Sequence, residues 1–476
     1  IALAEDAPIT LNFIMGVFNS SIINWYFKLS STNNHINNYE IDDFPIPVNS
    51  PYKAEIESLV SEYLMTEKVE LLEQIDSLVN KSFFMTEEKA STNLKLEEAI
   101  KKGREQKEYL LNTGKVLNHT TFKLSELDIE TIKDVPQGGN WKNIPADVIK
   151  KSKRLERIAK TGGRTTLYGR IDYSKPAYTI TTYFNRPGNG TYVHPHFDRV
   201  LSVREAARIQ SFPDDYYFYG NKTQLLNQVG NAVPPLLAYQ IASKIIEVTK
   251  CKRTIDLFCG AGGMTCGFNL AGMKSLLATD IESSACATLA INNEDIPVLC
   301  GDITNQKTKV EIIQKAKNGG AEIICGGPPC QGFSMAGFRS PDDPRNQLFR
   351  DFVDIVKSVQ PKIVVFENVE GLLSYEKGNT YKEILQLFSE LGYNCLGRLL
   401  NTSDYGVPQR RKRVIIICTK IELPYSPFEL FPDAVTVDES AKTTAFQAIG
   451  DLEKIPCSDD IIYKADNQSD FVKTLE

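Results

Sequence analysis

Five short apolar runs in the second half of the chain, TIDLF, KSLLATD, AEIICG, KIVVFEN and RVIIIC, are separated by stretches with helical spacing of apolar positions. Short apolar runs bounded by turn residues mark strands covered on both faces, and the stretches between them supply the covering helices. From Arg253 onward this alternation predicts an α/β fold with a parallel, doubly wound sheet, its ligands at the carboxyl ends of the strands. Upstream, residues 1–50 mix apolar runs (LNFIMGVFNSSIINWYF) with Asn-rich turns (STNNHINNYEIDDFPIP). From about Ala54 the spacing turns helical, with Ile56, Leu59, Val60, Tyr63 and Leu64 in one stripe and Leu72, Ile75, Leu78 and Val79 in a second. Thr86, followed by acidic residues, looks like a helix start, and residues 87–112 read as a connecting helix or linker. From Gly138 the chain is turn-rich (QGGNW, TGGR, RPGNG), and helices then fit SVREAARIQSF and PPLLAYQIASKIIEV.

Composition narrows the class. The chain has 476 residues, 42% hydrophobic and 24% charged, which suits an ordinary globular protein of two or three domains. No apolar run approaches the roughly 20 residues that cross a bilayer, and no secretory pattern opens the chain. It begins at Ile1, so a fragment or processed product is expected. All ten cysteines fall between Cys251 and Cys457 with no CxxC pair, as for free buried thiols in a reducing, cytoplasmic compartment. His35, His119, His194 and His196 show no zinc-ligand spacing alongside cysteine, so no metal is expected. The net charge of -6 excludes a nonspecifically basic nucleic-acid coat, yet residues 101–250 hold 24 Lys and Arg against 14 Asp and Glu. Lys150, Lys151, Lys153, Arg154, Arg157, Lys160, Arg164 and Arg170 form the densest stretch. A solvated helix face explains such a run in most proteins; beside a catalytic cleft, phosphate contact becomes the better reading.

Candidate chemistry gathers at the strand ends. TIDLF leads into Cys259-Gly260-Ala261-Gly262-Gly263 and a helix, Asp280 ends the next strand, and Asp302 in CGDIT ends a third segment. A lone glycine loop is weak evidence, but two carboxylates placed for ribose and adenine strengthen it. No P-loop Lys-Ser/Thr follows, so a cofactor with adenosine and no triphosphate fits better. GGPPCQGFS follows AEIIC and places Cys330 on the carboxyl edge, a thiol held by two prolines; a buried core cysteine is the plain alternative. Glu367 in FENVEGL ends another strand there, as a working carboxylate or a turn cap. Gln409, Arg411 and Arg413 alternate in QRRKRV and should share one face, although surface charge is the usual reason for such a run.

DLFCGAGG, GGPPCQGFS, ENV, DYGVPQRRKR, REAARIQSFPD and QVGNAVPP together resemble the motif set of the DNA cytosine-5 methyltransferases, over roughly residues 130–420. The resemblance implies a Rossmann-like, S-adenosylmethionine-dependent methyltransferase sheet with a smaller target-recognition lobe and an N-terminal helical segment. It implies methyl transfer to C5 of a flipped-out cytosine in a specific duplex DNA sequence, within a restriction–modification system that includes a cognate restriction endonuclease. In that reading Cys330 attacks C6, Glu367 holds and protonates N3, and Arg413 holds the O2 edge with Arg411 in support. Phe258 packs on the adenine, Gly260 and Gly263 allow close backbone approach, and Asp280 binds the ribose. Ile281, Asp302 and Ile303 frame the adenine, and Gly327, Leu348, Asn231 and Val233 complete the pocket. Lys150, Lys151, Lys153, Arg154, Arg157 and Arg164 are the expected DNA contacts.

The order of the motifs departs from the family pattern, because REAARIQSFP and GNAVPP precede the DLF loop. A circular permutation accounts for this, since a last helix and first strand that are neighbours can be joined by a short link. The expected parts are 93–170 and 418–476 as the divided recognition region, 171–250 as the displaced motifs, and 251–417 as the catalytic domain. Residues 1–92 fall outside this resemblance: NSSIINWYF and NNHINNYEIDDFPIP resemble the end of a TaqI-like specificity domain of adenine-N6 methyltransferases, a fusion remnant, a DNA-contact module or a packing domain. A tRNA cytosine-5 methyltransferase and a catalytically silent DNA-binding subunit are the rival readings.

Overall fold

The computed structural model describes residues 52–66, 70–72, 74–75, 78–79, 87–329, 348–455, 457 and 469–475. The expectations that fall on Cys330 and the GFS that follows it, on Thr86, and on the apolar and Asn-rich runs of residues 1–50 lie outside these residues. Two compact units are present, residues 1–97 with 306–311, and residues 98–305 with 312–476.

In the first unit the helix Lys53–Thr66 buries Ile56 and Val60, and Leu71, Ile75, Leu78 and Val79 are buried beyond it. Leu64 and Leu72, read as members of the two stripes, are instead exposed (51% and 37%). Leu71 takes the inward position that sequence alone assigned to Leu72. The charged stretch beyond Thr86 forms one long helix, Glu87–Asn112.

The second unit carries the short strands β1 (Gly169–Arg170), β2 (Ala177–Tyr178) and β3 (Thr191–Val193) before the main sheet begins. That sheet is built from β4 (Arg253–Leu257), β5 (Lys274–Asp280), β6 (Val298–Cys300), β7 (Ile323–Gly326), β8 (Ile363–Val369), β9 (Tyr393–Asn401) and β11 (Lys412–Lys420). β10 (Gln409–Arg410) pairs separately with β2. The strand order is β6-β5-β4-β7-β8-β11-β9. β4 to β8 run parallel, whereas β11 is antiparallel to both neighbours, so the expected all-parallel sheet is a mixed one. The reversal brings the start of β11, not its end, to the carboxyl edge of the parallel strands, where Arg413 faces Val369 in register.

Both faces are covered, which is why the strands read as continuous apolar runs. Ile255, Leu257, Ile324, Val364, Phe366 and Ile416 face one core with the helices Leu348–Val359 and Asn379–Glu390. Ile323, Cys325, Ile363, Val365, Ile415 and Ile417 face the other, with the helices Pro235–Thr249 and Gly263–Leu270. Glu367 and Arg413 share the parity of this second set, so their side chains leave the sheet on the side of the 235–249 helix. The strand order reverses between β4 and β7, and the crevice between two such strand ends is the general ligand position of a doubly wound sheet.

The two ends of the second unit share a core. Ala445, Ala448 and Ile449 pack among Ile171, Tyr173, Ala206 and Phe212, with Phe122 and Leu124 at the margin. Arg208 of the helix Val203–Ile209 reaches Asp451 at 2.6 Å and Asp214 at 2.5 Å. Among the described residues no helix is long and apolar enough to cross a membrane.

Candidate active site

β4 ends at Leu257, and the chain turns through Phe258 (φ 58°) and Gly260 (φ 54°) before the helix Gly263–Leu270 begins. A side chain at Gly260 would meet no protein atom within 4 Å, so the loop leaves open space over its backbone. The Gly260 amide donates to Asp280 Oδ2 at 2.8 Å and the Glu282 amide donates to Oδ1 at 2.9 Å. Burial pushes the Asp280 carboxyl above its ordinary range, against the pull of these backbone donors. A Cβ at Gly263 would lie 2.2 Å from the Val233 carbonyl oxygen and 3.3 Å from Ala232 Cβ. The 232–233 turn, which precedes β4 in the chain, therefore rests on the glycine loop, with exposed Asn231 one residue before it.

Ile281 is 61% exposed, and Ile303 is buried. Gly301 donates to the Asp280 carbonyl at 2.9 Å, which draws the ends of β5 and β6 together. Asp302 is exposed and closes its own turn onto the Thr304 amide and hydroxyl, both at 2.8 Å. Phe258 and Leu348 are half-buried against the sheet core. Asp256, inside β4, is a residue that sequence reasoning passed over. One of its oxygens accepts the Thr265 hydroxyl at 2.5 Å, and the other has no conventional partner, with the Cys325 thiol beside it. Burial, with the Asp280 charge nearby, pushes Asp256 up to about 7.

Glu367 Oε1 and Arg413 Nε meet at 2.8 Å, both nearly out of solvent. Burial pushes the Glu367 carboxyl up, while Arg413 and Arg411 pull it down without cancelling the shift. Gly327 makes room for the pair, because a Cβ there would lie 2.6 Å from Glu367 Oε2. The GGPP turn and the ENV strand are thus in direct contact, which is consistent with a bond from Asn368 Nδ2 to the Pro328 carbonyl (3.3 Å). Cys330 stands two residues past Pro328 and lies outside the described residues.

Arg411 does not join that pair at the edge. Its side chain is 1% exposed, and its terminal nitrogens donate to the carbonyls of Ile180 (2.7 Å) and Gly230 (2.8 Å). Gln409 is equally buried: it accepts from the Ile180 amide at 2.6 Å and donates to Gln210 Oε1 at 2.8 Å. A shared face for 409, 411 and 413 holds as geometry, but only Arg413 reaches Glu367.

The basic run divides in the same way. Ser152 caps the helix Lys153–Thr161, Leu155 and Ile158 face inward, and Lys153, Arg157 and Lys160 lie exposed on the other side. Lys150 and Arg164 are also exposed, whereas Lys151 pairs with Glu130 and Arg154 donates to Gly188 O at 2.7 Å. Arg170 is a correction to the phosphate reading. It is buried and donates to the carbonyls of Val135, Ile132, His194 and Phe197 and to Asp198, so it stitches the fold instead.

Spacing also missed one trio, His119, Glu205 and Cys457, which the fold brings together. Its atoms are already engaged: His119 with Ser202 Oγ (3.0 Å) and Ile455 O (3.1 Å), and Glu205 with Arg199 twice at 2.7 Å.

Residues 13–247 and 252–473 match the family described as C-5 cytosine-specific DNA methylase. The chain belongs to that family. The first matched range opens at residue 13, so the C-5 cytosine methylase match runs over most of the segment that its motifs alone set outside the family. The chain is 44% identical over 169 residues to Type II methyltransferase M1.HphI of Haemophilus parahaemolyticus, over 35% of this chain and 45% of the relative. It is 43% identical over 204 residues to Type II methyltransferase M.DdeI of Desulfomicrobium norvegicum, over 42% and 48%. A third relative, Type II methyltransferase M.AquIA of Picosynechococcus sp., is 41% identical over 36% of this chain and 73% of its own length. The chain thus spans about half the length of the first two of these curated relatives.

Proposed function

We propose that this protein methylates C5 of a cytosine in a specific duplex DNA sequence, using S-adenosylmethionine, as the modification enzyme of a restriction–modification system. The observation that carries the reading is the buried Glu367–Arg413 pair at the carboxyl edge, with Gly327 cleared to admit it. A carboxyl raised by burial is disposed to keep a proton, and a guanidinium beside it supplies fixed donors, which are the two demands of the cytosine N3 and O2 edge.

In the proposed reaction the Cys330 thiolate adds to C6 of a cytosine taken out of the duplex stack, and Glu367 gives its proton to N3 so that no charge builds on the ring. Arg413 holds O2. C5, now enamine-like, accepts the methyl group. Loss of the C5 proton to a base, an ordered water in this reading, then expels the Cys330 thiolate, and return of the N3 proton to Glu367 restores the neutral aromatic ring and the acid. S-adenosylmethionine supplies the electrophilic methyl group. The open space over Gly260 and the Asp280 carboxylate at its end fit a ligand that carries an adenosine. Asp280 would hold its ribose, Ile281, Asp302 and Ile303 its adenine with Phe258, and Gly263, Gly327, Leu348, Asn231 and Val233 would complete the pocket. Lys153, Arg157, Lys160, Lys150 and Arg164 would contact phosphates.

We read the motif order as a circular permutation of the family. Two observations support it: the break between the matched ranges, 248–251, takes in the last two residues of the 235–249 helix and ends just before β4, and the 232–233 turn rests on Gly263. Bisulfite sequencing of DNA from a methylation-free host expressing the gene tests the function. Protected cytosines should fall in one recurring sequence; protection of tRNA cytosines with unmodified DNA would transfer the reading to RNA.

A further inference from the structure

We infer that Arg411 is a positioning residue, tying the cofactor side of the site to the Glu367–Arg413 pair, and that it does not itself touch the substrate base. The inference rests on the methyltransferase reading above. Its basis is a buried lattice between three segments far apart in the chain. Arg411 donates to Ile180 O at 2.7 Å and to Gly230 O at 2.8 Å. Gln409 accepts from the Ile180 amide at 2.6 Å and donates to Gln210 at 2.8 Å, and Gln210 donates to Val229 O at 2.6 Å. Every side chain in this lattice is at most 1% exposed.

A guanidinium taken out of water is costly, and burial drives the Arg411 pKa well down; its two carbonyl partners offset that cost only at this spacing. Both partners are backbone, so what they hold is chain position. Gly230 lies two residues before Ala232, and the 232–233 turn presses on Gly263 at the glycine loop. At the other end, Arg413 follows Arg411 by two residues and is pinned in register to Val369, beside Glu367. A shift of Gly230 relative to β11 therefore moves the wall of the cofactor cradle out of place against the base-holding pair.

Titration calorimetry with S-adenosylhomocysteine tests this, on variants shown folded by circular dichroism at the temperature used. Lysine at 411 keeps the charge but reaches one carbonyl in place of two. Arg411→Lys should weaken S-adenosylhomocysteine by about tenfold, the worth of one charge-assisted bond. Gln210→Met, which removes two bonds of the lattice and leaves Arg411 in place, should weaken it by roughly threefold or more. Arg413→Lys should lower kcat and leave S-adenosylhomocysteine affinity within about twofold. If Arg411→Lys binds as tightly as wild type and loses only kcat, Arg411 acts on the base and the inference fails. If Arg411→Lys does not fold, Gln210→Met decides, and unchanged affinity there overturns it. Absence of binding by the wild-type chain would overturn the methyltransferase reading, and the inference with it.

Discussion

Glu367 stands under two opposed influences, burial that favours its acid form and Arg413 at 2.8 Å that favours its carboxylate, and burial prevails. A group that must deliver a proton gains from this, because the acid form persists to higher pH than in an ordinary carboxyl. Activity should therefore fall as pH rises through the raised pKa of Glu367. Glu367→Gln should lower kcat by about a hundredfold and abolish that alkaline limb, with S-adenosylhomocysteine affinity little changed. A variant that loses cofactor binding but turns over normally would place Glu367 in the wrong role. The placing of Glu367 and Arg413 at one edge of the sheet was legible in the sequence, because their motifs end or begin strands there. Buried arginines were not. Arg170, Arg204, Arg208 and Arg411 all look like surface charge in a sequence, yet each is buried on backbone carbonyls or carboxylates supplied from distant segments. Such partners are visible only once the chain is folded, and Asp256, an acidic residue inside an apolar strand, was hidden for the same reason.

Among the elements, the helix Lys153–Thr161 and the segment around His194 make opposite demands on charge. The helix keeps Lys153, Arg157 and Lys160 in water on one face, free to meet phosphates. Replacing all three with glutamine should weaken binding to every duplex alike and lower the log–log salt slope by about one for each phosphate no longer neutralised. An unchanged slope would return the helix to the status of a solvated face. His194 is fully buried, and its Nδ1 accepts the His196 and Phe197 amides at 3.1 and 3.2 Å, so the ring must stay neutral there. Burial drives its pKa down to about 3, against the attraction of Glu205. The unfolded chain takes up this proton near the ordinary value of 6.5, so the contribution is whole above that pH and declines as pH falls towards 3. His119, lowered by burial as well, acts in the same direction. Thermal unfolding between pH 7 and 5 should show the midpoint falling on acidification, less steeply in His194→Asn, which retains an acceptor; equal slopes would contradict this. The elements themselves were well legible, with five of the seven main strands marked by apolar runs. β9 was not marked, because it sits at the sheet edge, where only Tyr393 and Leu400 are buried and no continuous apolar run is needed. The direction of β11 was equally hidden, since an apolar run reads the same either way.

At the scale of the whole molecule, chain order and spatial order part company. The glycine loop is completed by a turn that precedes it, and the core beneath Val203–Ile209 is completed by residues near the other end of the chain. Motif identity was legible because the chemistry constrains it; the inter-segment packing was not, because no local pattern records which distant segment fills a face. If the permutation reading holds, joining residue 476 to about residue 93 and opening the chain near residue 250 should retain activity, since the link from the 235–249 helix to β4 is short. A folded but inactive rearranged chain would argue that the present order is itself required. The central claim, covalent catalysis on cytosine by Cys330, is met most directly by duplex DNA carrying 5-fluorocytosine at the target, incubated with the protein and S-adenosylmethionine. Fluorine at C5 cannot leave as a proton does, so the account predicts a protein–DNA adduct that survives denaturation and maps by peptide mass spectrometry to Cys330. An active enzyme that forms no such adduct, or one whose Cys330→Ala variant still methylates DNA, would contradict it.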